Sequence, residues 1–358
     1  MSEPARIVVL AGDGIGPEVT HTAVGVLRAA ADAHRISVSI EERLVGGAAI
    51  EAEGAPISEA TFTACRAASA ILFGATGAPR WDHLGGDARP GSALIRLRGR
   101  LQLCLNLRPV RVHPGMEERT TLRPEVVGGC DIVVVRELAG GIYYGERGRS
   151  GSGPTERAYD TMTYSRAEIE RVAHPAFELA MGRRRRLVSV DKANVLTSGR
   201  FWREVVSDVA RDYPDVAVEH ALVDSFALRL VQRPRDLDVI LAENLFGDIL
   251  SDEAAALSGS IGLLPSASLP AAGRGGPGLY EPVHGSAPDI VDRGIANPIG
   301  AILSVALMLE HSLGSPAAAS AVRDAVDRVI AAGVLTRDLG GAATTDDVGG
   351  AVVAALRR

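Results

Sequence analysis

The chain has 358 residues, 46% of them hydrophobic and 23% charged, which is an ordinary globular composition. Its formal net charge of −6 argues against general attraction to nucleic acid or to an acidic membrane surface, and no stretch is long and apolar enough for a bilayer span. Cys65, Cys104 and Cys130 form an odd set without metal-ligand spacing, and no signal peptide precedes the first apolar run, so buried thiols in a reducing cytoplasm are expected.

In chain order, Arg6–Ala11 reads as a strand and Pro17–Ala33 as a helix with Pro in its first turn. Between them lies Gly12-Asp13-Gly14-Ile15-Gly16-Pro17. A dinucleotide fingerprint would need its third Gly where Pro17 stands, so a tight strand-to-helix turn is the better reading. Ile36–Leu44 alternates like a strand, Ser58 caps a helix to about Ala67, and Ala70–Gly74 is a buried strand. Ser165-Arg166-Ala167-Glu168 is a capping box opening a helix to Met181. Arg183–Arg186 are expected at that helix's C-terminal end, facing water. Leu187–Asp191, Val216–Val223 and Leu237–Leu241 are short strands. Pro265–Pro282 reads as a long Gly/Pro-rich loop. Pro298–Leu313, Ala317–Ala332 and Thr345–Leu356 read as helices. The alternation of strands and helices predicts an α/β fold. No linker separates two halves, so any domains share strands or exchange chain.

Of the 38 basic residues only Lys192 is a lysine. Arginine cannot release its proton at working pH, whereas a partly buried lysine can, which makes Lys192 a candidate base. Asp248 and Asp252 are four apart and share one face of a helix. A hard cation such as Mg²⁺ or Mn²⁺ would relieve their repulsion, and a solvated polar face is an equal reading by spacing alone. Arg98, Arg108 and Arg136 offer forked donors for a polycarboxylate, although composition alone does not select them from so many arginines. Tyr143 is a candidate proton donor beside paired glycines. Lys192 and Asp224 each end a predicted strand. The segment His284-Gly285-Ser286-Ala287, with Asp289 and Asn297, suits an adenosine, and an Asp289 carboxylate would accept from ribose hydroxyls while repelling a 2′-phosphate. A structural Pro/Gly turn accounts for the same residues equally well.

Together the segments GDGIGPEV (Gly12–Val19), WDHL (Trp81–Leu84), NLRPVRV (Asn106–Val112), VVRELAGGIYYGE (Val134–Glu146), VSVDKANVL (Val188–Leu196), FGDILSD (Phe246–Asp252), EPVHGSAPDI (Glu281–Ile290) and GIANP (Gly294–Pro298) resemble the isocitrate/isopropylmalate family of β-decarboxylating dehydrogenases. The resemblance implies a two-domain isopropylmalate dehydrogenase-like α/β fold rather than a Rossmann arrangement. One domain would comprise residues 1–104 and 259–358, the other 105–258. It also implies a homodimer whose active sites use both chains. Arg98, Arg108 and Arg136 would hold substrate carboxylates, with Leu94, Ile95 and Val195 against the 3-substituent. Asp248 and Asp252 would bind Mg²⁺ or Mn²⁺ with the partner subunit's Asp224. The partner subunit's Lys192 would take the C2 hydroxyl proton, and Tyr143 would protonate C3 after CO₂ leaves. His284, Gly285, Ser286, Ala287, Asp289 and Asn297 would bind the adenosine part of NAD.

The implied activity is oxidative decarboxylation of a 3-substituted malate: 3-isopropylmalate first, giving 4-methyl-2-oxopentanoate in leucine biosynthesis. The same chemistry on D-malate, tartrate or a bulkier 3-alkyl- or 3-benzylmalate is the alternative, and a non-catalytic regulatory subunit is the remote one. Three positions depart from the family pattern. Gly91 stands where a Glu is usual in the helix that reads the substituent, and Ala139 and Ala242 stand where Thr is common.

Overall fold

A computed structural model describes residues 3–273 and 275–357. Residues 1, 2, 274 and 358, which belong to the first expected domain and include one position of the expected 265–282 loop, lie outside the described residues. The first part of the chain runs β1 (Ala5–Gly12), α1 (Gly16–His34), β2 (Val38–Glu42), α2 (Gly47–Glu53), α3 (Glu59–Arg66), β3 (Ala70–Ala75), α4 (Ser92–Arg100) and β4 (Leu103–Arg111). The middle contains α5 (Pro124–Val127), β5 (Asp131–Glu137), β6 (Arg147–Ser150), β7 (Arg157–Asp160), α6 (Arg166–Met181), β8 (Arg186–Asp191) and α7 (Thr197–Ala210). It continues with β9 (Ala217–Leu222), α8 (Val223–Gln232), β10 (Val239–Ala242) and α9 (Asn244–Ser258). The last part is β11 (Pro265–Pro270), β12 (Gly278–Pro282), α10 (Ile299–His311), α11 (Pro316–Ala331) and α12 (Thr345–Leu356).

Ten strands form one sheet in the order β2-β1-β3-β12-β11-β4-β5-β10-β8-β9. The two flanks are parallel, while β4 and β11 make the antiparallel joins at the centre. Strand β1 alternates its contacts: Ile7 and Val9 face a core shared with α1, α10, α11 and α12, and Val8 and Leu10 face a second cluster with Val45, Phe62 and Leu97. Covering both faces explains why β3 is an unbroken buried run, Ala70–Ala75. Helix α6 begins at its capping box, where the Ser165 side chain accepts from Glu168 N–H.

Three expectations need correction. Pro265–Pro282 is not one long loop: β11 and β12 occupy its two ends and pair antiparallel. Pro265, Pro270 and Pro282 sit at strand ends and the small side chains of Ser266–Ser268 are buried, with the Asn106 amide donating to Ser268 Oγ at 3.2 Å, so tertiary pairing overrides a weak local preference. Second, Arg183 and Arg184 do not simply face water. Arg183 Nε donates to the buried Asp238 at 2.8 Å and Arg184 Nη2 to the Asp131 carbonyl at 2.8 Å, tying the end of α6 to neighbouring strands. Third, β6 and β7 form a separate two-stranded ribbon, mostly exposed, in a stretch where no element was expected. The three cysteines are buried free thiols, and burial pushes Cys65 up to about 12 and Cys130 up to about 11, which makes both unreactive.

Candidate active site

The central strands bring their polar residues to one cavity of about 440 Å³. Arg108 comes from β4, Arg136 from β5, Leu94, Ile95 and Arg98 from α4, Tyr143 from the loop after β5, Asp248 from α9, and His284 and Gly285 from the loop after β12. Its neighbour Leu107 on β4 points the other way and joins the core while Arg108 reaches the cavity.

Each arginine is oriented by oxygen acceptors. Arg98 Nη2 donates to Glu281 Oε1 at 2.7 Å. Arg108 donates to Asn106 Oδ1 at 2.9 Å, Ser251 Oγ at 2.7 Å, Asp252 Oδ1 at 3.2 Å and Asp248 Oδ1 at 3.3 Å. Arg136 donates to Asn244 Oδ1 at 2.8 Å and is ion-paired with Asp248. Burial pulls Arg136 down to about 10 against the opposing pull of Asp248, so it is still a cation at neutral pH. Arg108 is lowered by the same desolvation. The Tyr143 hydroxyl donates to Asp248 Oδ2 at 2.9 Å, and Arg136 lies 5.6 Å from the centre of the Tyr143 ring. Burial first, and then the Asp248 charge, raise the Tyr143 phenol, which keeps it a proton donor.

Lys192 and Asp224 sit elsewhere in the chain. Lys192 Nζ pairs with Asp224 Oδ1 at 2.7 Å, and this hydrogen bond, ahead of the charge itself, lowers the Asp224 carboxyl. Neither residue lines the cavity, and nor does the exposed Val195, one short turn beyond Lys192. Among the described residues, no three His, Cys, Asp or Glu side chains of one chain are arranged to hold a metal. Asp248 and Asp252 supply hard oxygen donors of the type Mg²⁺ and Mn²⁺ take.

The His284–Asp289 loop closes the other side. The Ile15 amide donates to the Ser286 carbonyl at 2.9 Å, and a Cβ on Gly14 (φ +61°) would fall 2.1 Å from that oxygen. Gly14 thus allows close approach of this loop. Ala287 is left-handed, Asp289 is exposed in the turn Pro288–Ile290, and the buried Asn297 donates to Asp338 at 3.0 Å. His284 Nδ1 donates to the Gly285 carbonyl at 2.9 Å, leaving a buried Nε2 without a partner beside the cavity. Burial lowers the imidazole, so it is neutral and Nε2 is an acceptor for a donor on a bound molecule. These features fit a nucleotide cofactor. Motif reading missed Asn106, Asn244, Ser251 and Glu281, whose only sequence signal is their closeness to the expected functional segments.

A cavity with three oriented arginines, the Asp248 carboxylate and a tyrosine kept protonated, with Asp252 beside it, is the kind of site a metal-assisted dehydrogenase uses. The chain belongs to the isocitrate/isopropylmalate dehydrogenase family, whose pattern it matches over residues 6–352. It is 52% identical over 342 residues to a 3-isopropylmalate dehydrogenase of Anaeromyxobacter dehalogenans, spanning 95% of this chain and 96% of the relative. It is 49% identical to one from Pseudomonas putida, spanning 98% and 99%. Among solved structures, an isocitrate dehydrogenase from Methylococcus capsulatus aligns with TM-score 0.87 at 34% identity, covering 99% of both chains. A β-decarboxylating dehydrogenase from Thermococcus kodakarensis aligns with TM-score 0.81 at 40% identity, covering 98% and 96%. The protein is a decarboxylating dehydrogenase of a family that uses NAD and a divalent metal, Mg²⁺ or Mn²⁺.

Proposed function

We propose that the chain converts (2R,3S)-3-isopropylmalate to 4-methyl-2-oxopentanoate and CO₂, the oxidative decarboxylation of leucine biosynthesis, in the cytoplasm. The carrying observation is that Arg98, Arg108 and Arg136 converge with the apolar Leu94 and Ile95 in one cavity, matching a substrate with two carboxylates and a branched alkyl group. The His284–Asp289 loop and Asn297 would hold NAD⁺, and Asp248 and Asp252 the divalent ion; when bound, these groups would supply a hydride acceptor and Lewis-acid stabilisation of developing charge.

The chain's own residues do the rest. The arginines trade their present carboxylate partners for those of the substrate, freeing Asp248 and Asp252 for the cation. Lys192 takes the hydroxyl proton, and Tyr143 gives a proton to C3 after CO₂ departs. Leu94 and Ile95 accept the isopropyl group and offer no hydrogen bond to a third carboxylate in its place. The loop His284–Asp289 and Asn297 hold the adenosine, with Asp289 selecting NAD over NADP by charge.

The site is completed by a second copy of the chain. Three observations support this: Lys192, Asp224 and Val195 stand away from the cavity their roles require, Leu228 on α8 and Ile249 on α9 are 60% and 57% exposed, and the β6–β7 ribbon is a separate sheet. Residues 1–104 with 259–358 and residues 105–258 act as two units hinged at the centre of the sheet. NADH formation from 3-isopropylmalate with Mg²⁺, and its loss on chelation, tests this reading. Absence of turnover with that substrate, alongside turnover of D-malate or 3-benzylmalate, would refute the substrate assignment.

A further inference from the structure

Beneath the cavity, three separated segments meet at one phenol. The Tyr164 hydroxyl donates toward Glu243 Oε2 at 3.1 Å and Glu137 Oε2 at 3.4 Å, and accepts from the Asn244 amide at 3.0 Å. Both carboxylates are buried, Glu137 completely. Glu137 is met by Arg171 at 2.9 Å and by the Ala139 and Gly140 amides at 3.0 and 2.8 Å. Glu243 caps α9, accepting from the Leu245 and Phe246 amides at 3.1 and 2.8 Å. The Tyr164 ring stands edge-on to Trp202 at 5.5 Å. Its hydroxyl is also why the chain needs Gly141, where a Cβ would lie 2.3 Å from that oxygen.

None of Glu137, Tyr164 and Glu243 lines the substrate cavity, yet each holds an element that does. Glu137 follows Arg136 and fixes the amides that start the Tyr143 loop. Glu243 and Asn244 open the helix carrying Asp248 and Asp252. Asn244 closes the circuit, its amide donating to the Gly140 carbonyl at 3.0 Å while its oxygen accepts from Arg136. The phenol has one proton and two carboxylates before it. It therefore links the two elements instead of serving one, and Arg171 and the N-terminus of α9 compensate the charges.

We propose that Tyr164 is a positioning residue for the decarboxylation step, clamped between Glu137 and Glu243 so that the Tyr143 loop and the Asp248 helix are held in register. The inference rests on the proton-donor role given to Tyr143 above. Tyr164→Phe keeps the ring packing on Trp202 and removes only the link. A misplacement of this kind costs about 10- to 100-fold in turnover.

A kinetic double-mutant cycle tests it, using the full-length protein with Tyr143→Phe, Tyr164→Phe and the pair, each checked by thermal melt and circular dichroism. The proposal expects kcat to fall about 10- to 100-fold in Tyr164→Phe with a native spectrum, and a clearly smaller fold loss when Tyr164→Phe is added to Tyr143→Phe. Unchanged kcat in Tyr164→Phe, or equal fold losses in both backgrounds, would overturn it, because a merely structural role multiplies independently. Should Tyr164→Phe fail to fold, Glu243→Ala takes its place in the same cycle with the same two outcomes. Wild-type turnover in Tyr143→Phe would remove the Tyr143 reading itself and this inference with it, whereas impaired Tyr143→Phe with additive losses removes this inference alone.

Discussion

The Tyr143 hydroxyl donates to Asp248 Oδ2 at 2.9 Å while Arg136 pairs with Oδ1 of the same carboxylate. One residue thus joins the proposed proton donor to the proposed metal ligand and to a substrate arginine. Removing the hydroxyl while keeping the ring over Arg136 isolates the proton transfer. Tyr143→Phe is expected to lower kcat by about 10²- to 10⁴-fold with a much smaller change in KM, measured by steady-state NADH formation. Equal effects on both parameters would point to substrate binding instead.

Lys192 is paired with Asp224 at 2.7 Å, so a cationic replacement preserves the pair and a neutral one does not. Lys192→Met and Lys192→Arg are both expected to keep the fold and to abolish turnover, because neither side chain can cycle a proton. Lys192→Met should still bind Mn²⁺, measured by electron paramagnetic resonance. Near-normal turnover in either variant would remove Lys192 from the mechanism.

Gly91 precedes α4 as its capping residue in right-handed helical geometry, and a Cβ there meets nothing within 4 Å. A side chain at this position is therefore tolerated, and the missing family acid is a matter of specificity and not of folding. Wild type is expected to prefer 3-isopropylmalate to D-malate and 3-benzylmalate in kcat/KM. A methylene is worth about 1–3 kcal/mol of discrimination, so side activities on neighbouring alkyl groups should be measurable. Gly91→Glu should melt within a few degrees of wild type while changing the ranking of bulky substrates. An unchanged ranking would show that Gly91 does not read the substituent.

Burial raises the Glu243 and Glu137 carboxyls above their ordinary range. The folded chain then holds their protons more tightly than the unfolded chain. Their contribution to stability is present below the unfolded carboxyl value of about 4.5 and is lost as pH rises through the raised folded value. Glu243→Gln retains an acceptor for the α9 amides without this titration. Relative to wild type, its Tm should improve as pH rises from mildly acidic to neutral. A Tm difference independent of pH would contradict the assignment.

Helices with local signals were legible in the sequence. The capping box at Ser165 fixes the start of α6, and the Thr345–Leu356 periodicity gives the bounds of α12. Strands β4 and β5 were hidden because Arg108, Pro109 and Arg136 interrupt their apolar pattern. Burying those arginines is affordable only where Asn106, Asn244 and Asp248 meet them, and that convergence is tertiary. The hairpin of β11 and β12 was hidden for the same reason, since its proline and small residues carry no strand preference of their own. Ordered motifs identified the arginines, Tyr143 and the paired aspartates, and the cavity brings most of them together. The cluster at Tyr164 left no trace in the sequence, because Glu137, Tyr164 and Glu243 come from segments with no fixed spacing between them.

In the proposed arrangement each active site joins the cavity of one chain to the Lys192 of another. Lys192→Met and Asp248→Asn are each expected to be inactive as pure dimers. Mixed after reversible dissociation, they should regain about one quarter of wild-type activity, because half of randomly reassembled dimers are hybrids and each hybrid has one intact site. A mixture that forms hybrid dimers yet stays as inactive as its components would contradict the shared site.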